Sequence, residues 1–112
     1  MTDSTYNGWT NYETWAVGMW LDGNYTGQET YEQTIETVRD ALARSTFNVL
    51  SGQMNDRYEV SQALKTWVRE ENEPDGFTPG LTDDLLGAAF DSVNWYELAD
   101  AWIENVAEQA TA

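Results

Sequence analysis

Cysteine and histidine are both absent from the 112 residues. Without cysteine there can be no disulfide and no thiolate metal site, and thiols say nothing about the compartment. Without histidine the chain lacks the commonest general base, proton shuttle and metal ligand. Lysine occurs once, at Lys65, and four arginines complete the basic residues, against 20 acids and a net charge of -15. A chain this poor in cations has no footprint for a nucleic-acid backbone or an anionic membrane, so direct binding to either is not expected. No apolar run approaches the ~20 residues of a membrane span. The N-terminus also lacks the basic and apolar parts of a signal peptide, which predicts a cytoplasmic protein.

What is present argues for a folded domain. High net charge ordinarily points to disorder, but 41% apolar content and fifteen aromatic residues oppose that reading. At this length one domain is expected, burying roughly 65% of its unfolded surface. Four places read as capping boxes, an oxygen-bearing side chain followed three residues later by glutamate. They are Thr10 with Glu13, Thr26 with Glu29, Asp56 with Glu59, and Asn94 with Glu97, the last with a hydrophobic staple from Val93 to Leu98. A fifth start is expected at Thr82, with Asp83 and Asp84 in the first turn.

Apolar residues follow each start at helical spacing. Tyr12, Trp15, Ala16 and Met19 form the expected inner face of helix 1. Tyr31, Ile35, Val38 and Leu42 do so in helix 2, and Val60, Leu64, Trp67 and Val68 in helix 3. Leu85, Leu86, Ala89, Phe90 and Val93 mark helix 4, and Leu98, Trp102 and Val106 mark helix 5. Gly23 and Gly76 are expected stops. Residues 45–56 read as a loop or one short strand, and 70–82 as a turn-rich connector. The expected architecture is an all-α bundle of about five amphipathic helices, with residues 1–8 a flexible lead and 9–112 a single helical domain.

Half of the six tryptophans, Trp9, Trp15 and Trp20, fall within twelve residues. A nucleobase-stacking platform would need interleaved cations, and residues 1–38 contain none. Trp15, Trp20, Trp67 and Trp102 are therefore expected in the core, where aromatics bury 150–250 Å² each. Trp9, outside the helix, is expected to be exposed.

The opening "NGWTNYETW", followed by apolar residues and "LDG", resembles the start of small uncharacterised proteins encoded by phages, archaeal viruses and plasmids. The closing "LLGAAFDSVNWYELADAWIE" is similar to the C-terminal part of such proteins. The resemblance covers both ends, about half of the chain. It implies a mobile-element context and carries no assigned activity or catalytic residue.

The acids are patterned. On helix 5, Glu97, Asp100, Glu104 and Glu108 fall within about 80° of one another, opposite Trp95, Leu98, Ala99, Trp102, Ile103 and Val106. Like charges at this spacing destabilise a helix by a few tenths of a kcal/mol per pair, and no lysine or arginine is expected to relieve them. From Phe77 to Ala112 there are seven acids and no base. One account is halophilic adaptation, since concentrated salt screens such repulsion and favours acidic, lysine-poor surfaces. The other is imitation of nucleic acid, whose duplex carries one negative charge per ~1.7 Å of axis.

On the second account a mobile-element protein would fill the basic groove of a host nuclease or CRISPR effector. Glu97, Asp100, Glu104 and Glu108 would make the contact, with Asp83, Asp84 and Asp91 of helix 4 beside or near them. The alternative is a structural or assembly protein of a virus or plasmid that binds a protein partner through Trp9 and the N-terminal helix. Catalysis is the weakest class. The adjacent pairs Glu70–Glu71 and Asp83–Asp84 diverge by ~100° on a helix, and there is no phosphate loop, nucleophile elbow or metal motif. No cofactor and no metal site are expected.

Overall fold

The four-three-four spacing of Tyr31, Ile35, Val38 and Leu42 produces a helix with Ile35 and Val38 buried and the other two packed against the core. The same logic holds for Val60, Leu64 and Val68 on a second helix, and for Leu98, Ala99, Trp102 and Val106 on a third. The computed structural model describes residues 6–24, 27–72 and 81–111, with the side chains of 81–83, 110 and 111 outside the description. Its elements are α1 (Tyr12–Leu21), α2 (Gln28–Arg44), β1 (Phe47–Asn48), β2 (Gln53–Met54), α3 (Asp56–Asn72), α4 (Leu81–Ser92) and α5 (Trp95–Thr111). The fold is all-α, with one minor two-stranded sheet among the described residues.

Helices α2, α3 and α5 pack on one another and form the centre of the bundle. Leu21, Val38, Val60, Leu64 and Leu98 are fully buried there, each such side chain stabilising the fold by roughly 1.5–3 kcal/mol. Helix α1 lies across α2, α4 and α5, and α4 packs principally on α1. The α2–α3 connection is neither plain loop nor single strand. β1 and β2 form an antiparallel hairpin, pairing Phe47 with Met54 and Asn48 with Gln53.

Helix α1 departs from expectation. Its buried residues are Thr14, Gly18 and Leu21, not the Tyr12–Trp15–Ala16–Met19 face. The helix is apolar on nearly every side, so periodicity alone does not choose its inner face. Close approach does. The Cα of Gly18 leaves room for the Trp9 ring and Leu98, which an added Cβ would meet at 3.4 and 3.5 Å. Trp9 is accordingly half-buried and packs against the core instead of standing exposed.

Trp15 lies outside the core, in a cluster with Tyr6 and Tyr12 whose ring centroids are 5.1–5.5 Å apart. Of the tryptophans expected inside, Trp102 is buried, while Trp20 and Trp67 pack on each other at the edge of the core, centroids 4.9 Å apart. Trp95 is also buried, its Nε1–H donating to the Phe90 carbonyl at 2.9 Å.

The N-terminus of α1 is shifted by one residue from the expected box. Asn11 is the N-cap, its Oδ1 accepting from the Thr14 N–H at 2.9 Å. Thr10 and Glu13 do not form the cap. At the other end α1 stops as expected. The Gly23 N–H donates to the Trp20 carbonyl and the Asn24 N–H to Met19, the two bonds of a Schellman motif, with Gly23 at φ +80°. Thr26 and Gly76 lie outside the described residues, and Gly27 occupies the α2 N-cap without a side-chain bond. Helix α4 begins at Leu81, one residue before the expected Thr82.

Of the expected flexible lead, residues 1–5 lie outside the description, and Tyr6–Trp9 closes a tight turn. The Tyr6 N–H donates to the Trp9 carbonyl at 2.6 Å and the Trp9 N–H to Tyr6 at 2.8 Å. Both central residues have positive φ, +49° at Asn7 and +89° at Gly8, the geometry that an Asn-Gly pair favours.

Candidate carboxylate rows

Helix α5 buries the side opposite its acids, so the row of Glu97, Asp100, Glu104 and Glu108 faces outward as its spacing requires. Asp100, Glu104 and Glu108 are exposed and Glu97 is half-buried. The four are not equivalent. The Thr10 N–H donates to Glu97 Oε1 at 3.0 Å. Asp100 Oδ1 meets Arg57 Nε of α3 at 3.0 Å, an ion pair between the two helices. The expectation that no base relieves the row is thereby corrected, because Arg57 is remote in sequence but α3 packs along α5. Its guanidinium also lies 4.7 Å from the centre of the Tyr96 ring. Farther along the row, Glu104 and Glu108 lie at the exposed surface of α5.

The α4 acids are set apart from this row. Asp84 and Asp91 are exposed and share one side of α4, seven residues being nearly two turns. That helix packs on α1 instead of running along α5. Asp83 has its backbone in the first turn of α4, and its side chain lies outside the described residues. Among the described residues no group of three or more acids converges on a point that could hold a metal ion. Glu70 and Glu71, the adjacent pair on α3, line two different grooves, Glu70 with Asp40 and Arg44, Glu71 with Trp20 and Glu29.

A second row was not singled out from the sequence. Glu29, Glu32, Glu36 and Asp40 of α2 repeat the three-four-four intervals of the α5 row, and all four are exposed. Among the described residues none of them has an ion-pair partner. The signal was available as the same periodicity, but Arg39 and Arg44 interrupt the acids when they are read in sequence order. On the helix the four acids project opposite Ile35 and Val38. Each row spans about 16 Å at 1.5 Å per residue, so its four charges compare with about five on one DNA strand of that length.

The Glu97 end of α5 is locked to α1 by exchanged caps. Glu97 N–H donates to Asn94 Oδ1 at 3.1 Å, the forward half of the expected capping box. The return half is made between helices. The Asn94 N–H donates to Thr14 Oγ1 at 2.8 Å, and the Glu97 carboxylate serves Thr10. Asn11 Nδ2 donates to the Ser92 carbonyl at 2.7 Å, and Asn94 Nδ2 to Thr10 Oγ1 at 3.2 Å. These bonds join the "WTNYET" and "SVNWYE" segments into one polar junction.

A family model described as a family of unknown function (DUF7249) matches residues 2–109. The chain belongs to that family. No curated protein and no solved structure matches it. The DUF7249 match runs through both segments of the cap junction and both carboxylate rows. Among the described residues no helix is long and apolar enough to cross a membrane.

Proposed function

We propose that the protein is a non-enzymatic inhibitor from a mobile genetic element that occupies the cationic groove of a host nucleic-acid-binding defence protein, of restriction or CRISPR type. The observation that supports this most is the α2 row, four exposed carboxylates without ion-pair partners among the described residues, at close to the charge spacing of one DNA strand. On α5 the exposed Glu104 adds a further carboxylate, while Glu97 and Asp100 are engaged within the molecule. A rigid helix holds its carboxylates without the ordering cost that a flexible acidic tail would incur on binding. The same charge repels DNA itself, so inhibitor and substrate compete for one groove without binding each other.

The test is protection of a plasmid from the host's own nucleases. Charge reversal at Glu29, Glu32, Glu36 and Asp40, or at Glu104 and Glu108, is expected to reduce protection with helix content unchanged by circular dichroism. Equal protection by wild type and both variants, or none by the wild type, sinks the reading.

A second reading has its own observation. Tyr6, Tyr12 and Trp15 cluster at the surface of α1, with Tyr12 55% exposed. An assembly role through the N-terminal helix would use these rings, since Trp9 is turned to the core. Loss of function on replacing Tyr12 and Trp15 with serine, both rows being neutral, would move the assignment there.

A further inference from the structure

Three aromatic rings from three separate segments line one cleft of about 190 Å³. They are Trp9 of the N-terminal turn, Tyr31 of α2 and Trp102 of α5, with Gly18 of α1 in the wall. The Tyr31 and Trp102 rings are 5.7 Å apart between centroids and tilted by 53°, too open to stack flat on each other. Trp102 is buried, whereas Trp9 and Tyr31 are half-buried. The bare Cα of Gly18 lets the Trp9 ring close against α1. The walls are braced within the molecule. Gln109 Nε2 donates to the Tyr31 hydroxyl and, at 3.3 Å, to Asn105 Oδ1, which ties the α2 wall to α5. A cleft held in this way loses little entropy when it takes a ligand.

The polar groups select the ligand. Among the described residues lining the cleft, Asp22 is the one with a charge, and it caps α1 at the negative end of the helix dipole. Its Oδ1 accepts the Asn24 N–H at 2.9 Å, which holds the carboxylate in place. On a molecule of net charge -15 an anion is repelled from such a position. A hard metal ion needs several oxygen ligands, and one carboxylate does not supply them. A primary ammonium carries three N–H donors, each wanting an acceptor, and Asn105 Oδ1 already serves Gln109. A quaternary ammonium has no donor to satisfy, and its charge is what aromatic faces attract.

We propose that this cleft binds a quaternary ammonium group, seated between Trp9, Tyr31 and Trp102 with Asp22 as its counter-charge. The cleft is smaller than the roughly 300–1,000 Å³ of sites for drug-sized ligands. It therefore takes the trimethylammonium head alone, whether that head belongs to a free solute or to a trimethylated lysine. The site does not depend on the nucleic-acid mimic reading, since it lies apart from the α2 carboxylate row and uses rings in place of a charge array.

The test is a titration of the isotope-labelled full chain with choline chloride, read on the indole N–H resonances. It is done in about 0.15 M KCl, where a Debye length of ~8 Å screens unspecific cation binding. Saturable shifts are expected at Trp9 and Trp102, with Kd at or below about 1 mM, while Trp20 and Trp67 stay in place. The neutral isostere of choline, with carbon in place of nitrogen, is expected to bind at least about tenfold more weakly. Asp22→Asn keeps an acceptor for the Asn24 N–H, and is expected to weaken choline binding by about three- to tenfold with an unchanged circular dichroism spectrum. Tyr31→Leu is expected to weaken it by at least about tenfold. A peptide carrying trimethyl-lysine that binds more tightly than choline upholds the site and assigns the group to a protein. One that binds no more tightly upholds it for a free solute. Absence of saturable shifts at Trp9 and Trp102 overturns the proposal, as do equal binding of the isostere, unchanged affinity in Asp22→Asn, or shifts of equal size at Trp20 and Trp67.

Discussion

Thr14 shows how much one hydroxyl can carry. It is fully buried on a helix of aromatics, and its Oγ1 donates to Asn11 Oδ1 at 2.6 Å while accepting the Asn94 N–H at 2.8 Å. Thr14→Val preserves shape but leaves the Asn94 amide without that acceptor, a loss of about 1–3 kcal/mol. A thermal melt should show it as a fall of ~4–8 °C per kcal/mol. Thr37→Val is the control, since the Thr37 hydroxyl donates to the Gln33 carbonyl of its own helix, and is expected to change stability by less than about 0.5 kcal/mol. Gly23 carries a different constraint. An added Cβ would meet the Gly27 carbonyl oxygen at 2.2 Å, on a backbone already at φ +80°. Gly23→Ala is therefore expected to lose at least ~1–2 kcal/mol from the left-handed conformation alone, measured by urea unfolding. The stop at Gly23 could be read from the sequence, because a C-cap glycine is a local signal. The role of Thr14 could not, because its partner lies 80 residues away.

Among the elements, α5 was the most legible and α1 the least. Of the apolar side of α5, Trp95, Leu98, Ala99, Trp102 and Val106 are buried and Ile103 is partly buried against them, and its acids stand opposite. The row nevertheless divides in two for reasons outside the helix. Reversal at the exposed Glu104 is expected to leave stability within about 0.5 kcal/mol of wild type. Asp100→Lys faces Arg57 and is expected to lose about 0.5–1 kcal/mol, the range of an exposed pair. Chemical denaturation of both variants checks the contrast. Helix α2 hid its row because two arginines break the acid pattern in sequence order but not on the helix surface. Helix α1 has no polar face to orient it, so the fit of Trp9 and Leu98 over Gly18 decided which side went in.

For the whole molecule the governing quantity is the net charge of -15, twenty acids against five bases. Self-repulsion of that size should make stability rise with salt, most steeply below ~0.1 M, where the Debye length exceeds ~10 Å. Melting temperatures in KCl from about 0.01 to 1 M measure it. A fold that is marginal near 0.1 M and gains steeply into the molar range marks halophilic adaptation as the origin of the acidity. A profile that is flat above ~0.1 M leaves the carboxylate rows as a surface kept for a partner.

The sequence by itself determined the all-α class, the five helical segments, the inner faces of α2, α3 and α5, and the excess of carboxylates. These follow from local spacing and composition, which act within a turn or two of chain. Only the tertiary structure decided which face of α1 is buried, how α1 and α5 exchange caps, that Arg57 reaches Asp100, and that the α2–α3 connection closes as a hairpin with its apolar residues outside. Each of these depends on atoms brought together from distant segments. A buried N–H must find an acceptor wherever the packing puts one, and neither spacing nor composition specifies that partner.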